Sequence, residues 1–83
     1  MMREKELLRR IILNSNDTVG KPIIKGTKLT VEYILGLLAH GATEEEIFQR
    51  YDGVTHEDIL ACLMFAAKAL ETTFFMPLLV RAN

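Results

Sequence analysis

Thr43-Glu44-Glu45-Glu46-Ile47-Phe48-Gln49-Arg50-Tyr51-Asp52-Gly53-Val54-Thr55-His56-Glu57-Asp58-Ile59-Leu60, continuing through Leu70, is the stretch on which the fold turns. Thr43 is followed three residues later by Glu46, and Thr55 by Asp58. A threonine hydroxyl at a helix N-cap accepts from the amide three residues on, and an acid there reaches back to the cap's own amide. The stretch therefore contains two helix starts, the second with a shorter-armed aspartate. Asp52-Gly53 between them supplies turn chemistry and a residue tolerant of positive φ. Two capped helices joined by a short glycine-containing turn form a helix-turn-helix arrangement.

Working outward, a helix is expected from Val31 to His40, with Ile34, Leu35, Leu37 and Leu38 on a broad apolar face and Gly41 as the left-handed residue beyond its end. The next helix, 44–51, buries Ile47, Phe48 and Tyr51 and carries three glutamates in its first turn, where the helix dipole favours negative charge. The last helix, 56–71, has Lys68 as its one charge between Ile59 and Leu70. A helix apolar nearly all round is covered on more than one side. One face of it is expected to be core and another a subunit interface.

Upstream, residues 4–8 read as a short helical turn and residues 10–13 as a strand ending at the turn-rich Asn14-Ser15-Asn16-Asp17. Gly20, Pro22 and Gly26 punctuate the segment beyond that turn, and Leu29-Thr30-Val31 is briefly strand-like. Two such strands make a marginal ribbon that has to lie on the helices or pair with a second subunit. Downstream, Thr72-Thr73-Phe74-Phe75-Met76-Pro77-Leu78-Leu79-Val80 is apolar and interrupted by Pro77. It either folds back or docks on another protein. The chain thus divides into an arm (1–30), a helical core (31–71) and a tail (72–83).

Composition narrows the function classes. Eighty-three residues make one domain near the lower limit for a self-sufficient core, and 49% hydrophobic content is a surplus for that size. A second copy or another partner is expected to cover part of it. The expected dimer interface comprises Ile11, Leu29, Leu63, Met64 and Leu70. A single cysteine, Cys62, excludes an internal disulfide. The charged N-terminus does not resemble a signal peptide, and the nine-residue apolar run Ile59–Ala67 is too short to span a bilayer. A cytoplasmic protein is expected, with no membrane association.

The net charge of −1 conceals an asymmetry: residues 1–28 carry +4 and residues 29–71 carry −6. Either the N-terminal third meets a polyanion, or the two halves attract one another within or between chains. His40 and His56 have no carboxylate or cysteine at metal-ligand spacing, so neither a metal site nor a cofactor is expected. Cys62 among Ala61, Leu63 and Met64 reads as a small buried hydrophobe. No nucleophile–base pair is in evidence, and an enzyme is not expected.

Gly20-Lys21-Pro22-Ile23-Ile24-Lys25-Gly26-Thr27-Lys28, the helix ending at Gly41, Thr43-Glu44-Glu45-Glu46-Ile47 and Thr55-His56-Glu57-Asp58-Ile59 together resemble the signature of the family called domain of unknown function 433. The likeness spans roughly residues 10–71. Lys28 stands where arginine is usual, and Tyr51-Asp52-Gly53-Val54 replaces the common Tyr-Pro-x-Leu. The resemblance implies a mainly α protein, a three-helix, helix-turn-helix-like bundle with a short N-terminal β element. It further implies an antitoxin similar to the VapB type, paired with a PIN-like ribonuclease toxin. In a helix-turn-helix the second helix offers its N-terminal residues to the major groove. That places Thr55, His56, Glu57 and Asp58 at base edges, with Lys21, Lys25, Lys28 and Arg50 as phosphate contacts and Thr27 beside them. Two acids among four groove residues argue against tight DNA binding, and operator contact is expected to be weak and salt-sensitive. The alternative is a dimeric interaction module that binds no nucleic acid. In either case Phe74, Phe75, Leu78 and Leu79 are the expected partner-docking residues.

Overall fold

The computed structural model of the protein describes residues 3–13 and 20–72. Its elements run α1 (Glu4–Leu8), β1 (Ile11–Ile12), β2 (Ile23–Ile24), α2 (Val31–Ala39), α3 (Glu44–Arg50) and α4 (His56–Glu71). The described part is mainly helical, with one two-stranded antiparallel sheet.

The caps anticipated from sequence are formed. Thr43 Oγ1 accepts from the Glu46 amide at 3.1 Å, while Glu46 Oε1 accepts from the Thr43 amide at 2.8 Å. Thr55 and Asp58 repeat this at 3.2 and 3.0 Å. At the end of α2 the Gly41 amide donates to the Leu38 carbonyl and the Ala42 amide to that of Leu37, both at 3.0 Å. Gly41 has φ +98°. That is the double closure by which a left-handed glycine satisfies the last carbonyls of a helix. Gly53, at φ +90°, makes the turn between α3 and α4.

The sheet differs in one respect from expectation. β1 pairs with Ile23–Ile24, in register Ile11↔Ile24 and Ile12↔Ile23, rather than with residues 29–31. Of these last, Thr30 makes a single bridge to Ile23 and then caps α2, its Oγ1 accepting from the Tyr33 amide at 3.0 Å. Thr30 itself stays extended, at φ −80° and ψ 154°, but its hydroxyl caps α2 and its carbonyl accepts from the Ile34 amide, so the strand ends there. Ile23-Ile24 is too short to show period-two alternation, and both residues are buried. Pairing and burial, not pattern, make it a strand.

The core gathers Ile24, Val31, Ile34, Ile47, Val54, Ile59 and Cys62, with Ile34 fully inaccessible. α1, α2 and β1 all pack against α4. Ile11 and Leu29, expected at a dimer interface, lie half-buried against this core within one chain, as do Phe48 and Tyr51. Gly36 sits mid-helix in α2, and a Cβ built on it would meet nothing within 4 Å. A mid-helix glycine costs about 0.5–1 kcal/mol relative to alanine, and nothing among the described residues offsets that cost.

Ile34→Ala should cost about 2–4 kcal/mol in chemical denaturation, because it leaves a cavity at a fully enclosed site. Leu63→Ala, on an exposed helix face, should shift stability by less than about 0.5 kcal/mol. Equal losses from the two would mean that Leu63 also belongs to the core.

Candidate interaction surfaces

α4 meets the N-terminal arm at Asp58. This residue is 6% exposed, in the first turn of α4 and on its inward face. Its Oδ2 accepts from the Thr55 amide, and its Oδ1 accepts from Arg10 Nη1 at 3.1 Å. A buried carboxylate is tolerated when it is both paired and hydrogen-bonded, and Arg10 meets that condition from 48 residues away. The sequence placed Asp58 at the base edge of a recognition helix. The structure corrects this: the carboxylate is turned inward and occupied.

The other residues expected to meet DNA are dispersed. The Thr55 hydroxyl accepts from the Asp58 amide as the cap of α4. His56 donates from Nδ1 to Glu44 Oε1 at 2.7 Å, joining the first turns of α3 and α4. Its pKa is raised, chiefly by that hydrogen bond and then by the charges of Glu44 and Glu57. Thr27 Oγ1 donates to the Ile24 carbonyl at 2.8 Å and accepts from the Leu29 amide at 3.0 Å, so it braces the loop after β2. Lys21 pairs with Glu32 on α2 at 3.0 Å. Lys25, Lys28 and Arg50 are exposed. Lys25 shares an open depression with Arg9, Arg10 and Glu6, which joins a lysine expected at phosphates to two arginines that were not.

A second surface lies along α4. Its buried residues are Asp58, Ile59, Ala61 and Cys62. On the opposite side Leu60 is half-buried, Ala67 is exposed, and Leu63 and Leu70 are 47% and 51% exposed. The four recur at intervals of three, four and three residues, the seam spacing of helices that pack along one another. Met64 is half-buried beside them. Leu8, Ile11, Leu13, Phe65 and Ala69 line a further apolar depression where α4 passes α1 and β1. At its rim Lys68 bridges Glu4 at 3.2 Å and Glu71 at 3.3 Å. Phe74, Phe75, Leu78 and Leu79 lie outside the described residues.

A third surface is formed by α2 and the end of α3. The rings of Tyr33 and Tyr51 meet edge to face, centroids 6.0 Å apart at 87°, and their hydroxyls hydrogen-bond. That bond raises the Tyr51 pKa. Cys62 is buried and its thiol is pushed up to about 12, first by burial and then by the charge of Asp58. It stays protonated and is no nucleophile. Among the described residues no group of three His, Cys, Asp or Glu side chains could hold a metal ion, and no helix is long and apolar enough to cross a membrane.

Residues 11–66, 56 of the 83, match the family described as "Protein of unknown function (DUF433)", and the chain belongs to that family. No curated protein and no solved structure matches it.

Asp58→Ala should cost about 2–3 kcal/mol, more than Thr55→Ala at about 1 kcal/mol, since it removes the cap and strands Arg10. Equal losses would show that the Arg10 pair contributes nothing. Because the folded pKa of His56 lies above its unfolded value of about 6.5, its contribution is complete below that pH. It is lost as pH rises through the folded value. The melting temperature of His56→Gln should therefore fall below the parent's at pH ~5.5 and converge with it in the alkaline range. A gap independent of pH would rule out the ion pair as its source.

Proposed function

With that family membership as the premise, we propose that the chain is a protein-binding module, the neutralising antitoxin of a two-protein pair. It acts by laying the α4 stripe Leu60–Leu63–Ala67–Leu70 against a helix of its partner. The observation that carries this reading is the stripe itself: Leu63 and Leu70 stand exposed on the longest helix, with exposed Ala67 between them and half-buried Leu60 one turn before, at seam spacing and away from the core face. Exposed apolar rows of this kind mark protein contacts, and helix-in-groove recognition uses the same spacing. The antitoxin role and the PIN-like ribonuclease as partner come from the resemblance of the motifs, a likeness of kind rather than of measured activity. A helix-turn-helix formed by α3 and α4 belongs to the same reading, as do assembly as a dimer and a cytoplasmic site of action.

DNA contact is the second reading, and one observation favours it: Arg9, Arg10 and Lys25 converge on a single open depression. The N-terminus of α4 speaks against a groove-reading helix there, because Glu44 and Glu57 flank His56 and would repel phosphates. Any DNA binding by this chain runs through the arm and reads phosphates, which gives affinity with little sequence preference.

The test starts from whether an adjacent gene encodes a PIN-like ribonuclease, and co-expresses that ribonuclease with this chain. The parent chain should restore growth, and Leu63→Glu with Leu70→Glu should weaken the purified pair by roughly 30-fold or more while far-UV circular dichroism stays unchanged. Rescue that survives both charges would remove α4 from the interface. Failure of the parent to rescue would remove the antitoxin role. Fluorescence anisotropy with upstream DNA at two salt concentrations decides the second reading, with Arg9→Glu and Lys25→Glu expected to abolish whatever binding is seen.

A further inference from the structure

The exposed face of α2 is built unlike a solvated helix face. At about 100° per residue, Glu32, Tyr33, Gly36, Ala39 and His40 fall on one side, with Gly36 at its middle. Gly36 lies inside regular helix, so no unusual backbone angle calls for glycine. No neighbour calls for it either, since an added Cβ would meet nothing within 4 Å. Within one chain this glycine weakens the helix to no purpose. Its missing Cβ acquires a purpose if another backbone approaches α2 from outside at that point.

The flanking side chains are held ready rather than waving in solvent. Tyr33 is 45% exposed, yet its ring rests edge-on against Tyr51 and its hydroxyl is bonded to the Tyr51 hydroxyl. His40 donates from Nδ1 to the Gly36 carbonyl at 2.8 Å, which fixes the imidazole beside the glycine. Glu32, with its side chain 74% exposed, is steadied by Lys21. Aromatic residues restrained before binding lose little entropy on contact, and tyrosine is enriched at protein interfaces.

We infer that this face is where two copies of the chain meet, α2 crossing α2 of a second copy nearly antiparallel about a two-fold axis over Gly36. The pattern is self-complementary about that axis, as a two-fold contact demands. In such a crossing the residue k places before Gly36 faces the residue k places after it on the other copy. Tyr33 then covers Ala39, a large side chain over a small one. Glu32 falls opposite His40, whose free Nε2 donates to a carboxylate only when the ring carries both protons, because Nδ1 already donates to the Gly36 carbonyl. Both pairings occur twice. With glycine at the crossing point, the two axes approach to the short end of the usual 8–10 Å range. A partner with unrelated chemistry would not account for the matched positions on either side of Gly36. This inference deepens the dimeric assembly of the proposed function without resting on the antitoxin role, and it leaves the α4 stripe free, so a pair of chains would offer two such stripes.

The test is sedimentation equilibrium of the full chain, run from micromolar to millimolar concentration on the parent, Gly36→Ala, Gly36→Leu and Leu63→Glu. The parent and Leu63→Glu should reach the dimer mass, and Gly36→Leu should stay monomeric with an unchanged circular dichroism spectrum. Gly36→Ala should separate the two roles of the position. It should raise the dimer Kd about tenfold. When melted at a concentration where both chains are monomeric, it should also unfold about 4 °C higher, because alanine is the better helix former. A parent that is monomeric throughout overturns the inference. So does a Gly36→Leu chain that dimerises like the parent. Dimerisation lost in Leu63→Glu but kept in Gly36→Leu would assign contact between copies to α4 instead.

Discussion

The carboxylate of Asp58 holds together two parts of the chain that local sequence would leave separate. One oxygen closes the start of α4 through the Thr55 amide, and the other takes the guanidinium of Arg10. Arg10 immediately precedes β1, and its carbonyl accepts from the Lys25 amide at 2.7 Å beside β2. A single side chain thus fixes the end of the longest helix and the place of the β ribbon upon it. Two-residue strands cannot persist alone. Here they persist because α4 supplies an apolar floor and a buried anion on which Arg10 is caught. A carboxylate with less than a tenth of its surface in water depends on both of these bonds. The cap and the ion pair consequently form one unit.

That arrangement has a functional cost and a functional use. The cost falls on groove reading. With Asp58 facing inward, Thr55 occupied as the cap and His56 tied to Glu44, the first turn of α4 has little left to offer a base edge. The use is that the core is complete on one side of α4. Ile59 and Cys62 face Ile24, Ile34 and Ile47, and the opposite row of half-buried Leu60 with exposed Leu63, Ala67 and Leu70 faces away from that core. Together with the α2 face about Gly36, this gives the small domain two unlike surfaces. One is aliphatic and suited to burial. The other is aromatic and polar, with small residues at its centre.

How much of this is legible in the sequence depends on the range of each interaction. Helix starts and stops are short-range: Thr43 with Glu46, Thr55 with Asp58, and Gly41 after α2 each complete their hydrogen bonds within five residues, and each is readable from spacing. β2 escapes such a reading because Ile23-Ile24 carries no alternation, while Leu29-Thr30-Val31 looks more like a strand until Thr30 is drawn into capping α2. The basic depression is half visible. Lys25 stands out in the sequence, but Arg9 and Arg10 join it only because α1 ends where the ribbon begins.

Local spacing places the helices and names the residues that cap them, and composition gives a chain that is 49% hydrophobic. These are decided by spacing within a few residues and by composition, and no partner is needed to read them. Tertiary structure alone decided which apolar residues stay outside. Leu63 and Cys62 are neighbours of similar hydrophobicity, yet one is 47% exposed and the other fully buried. The rotation of α4 that separates them is set by Arg10 seizing Asp58 and by α1, α2 and β1 packing on one side of the helix. Those contacts join residues tens of positions apart, and separations of that length leave no periodic trace in the sequence.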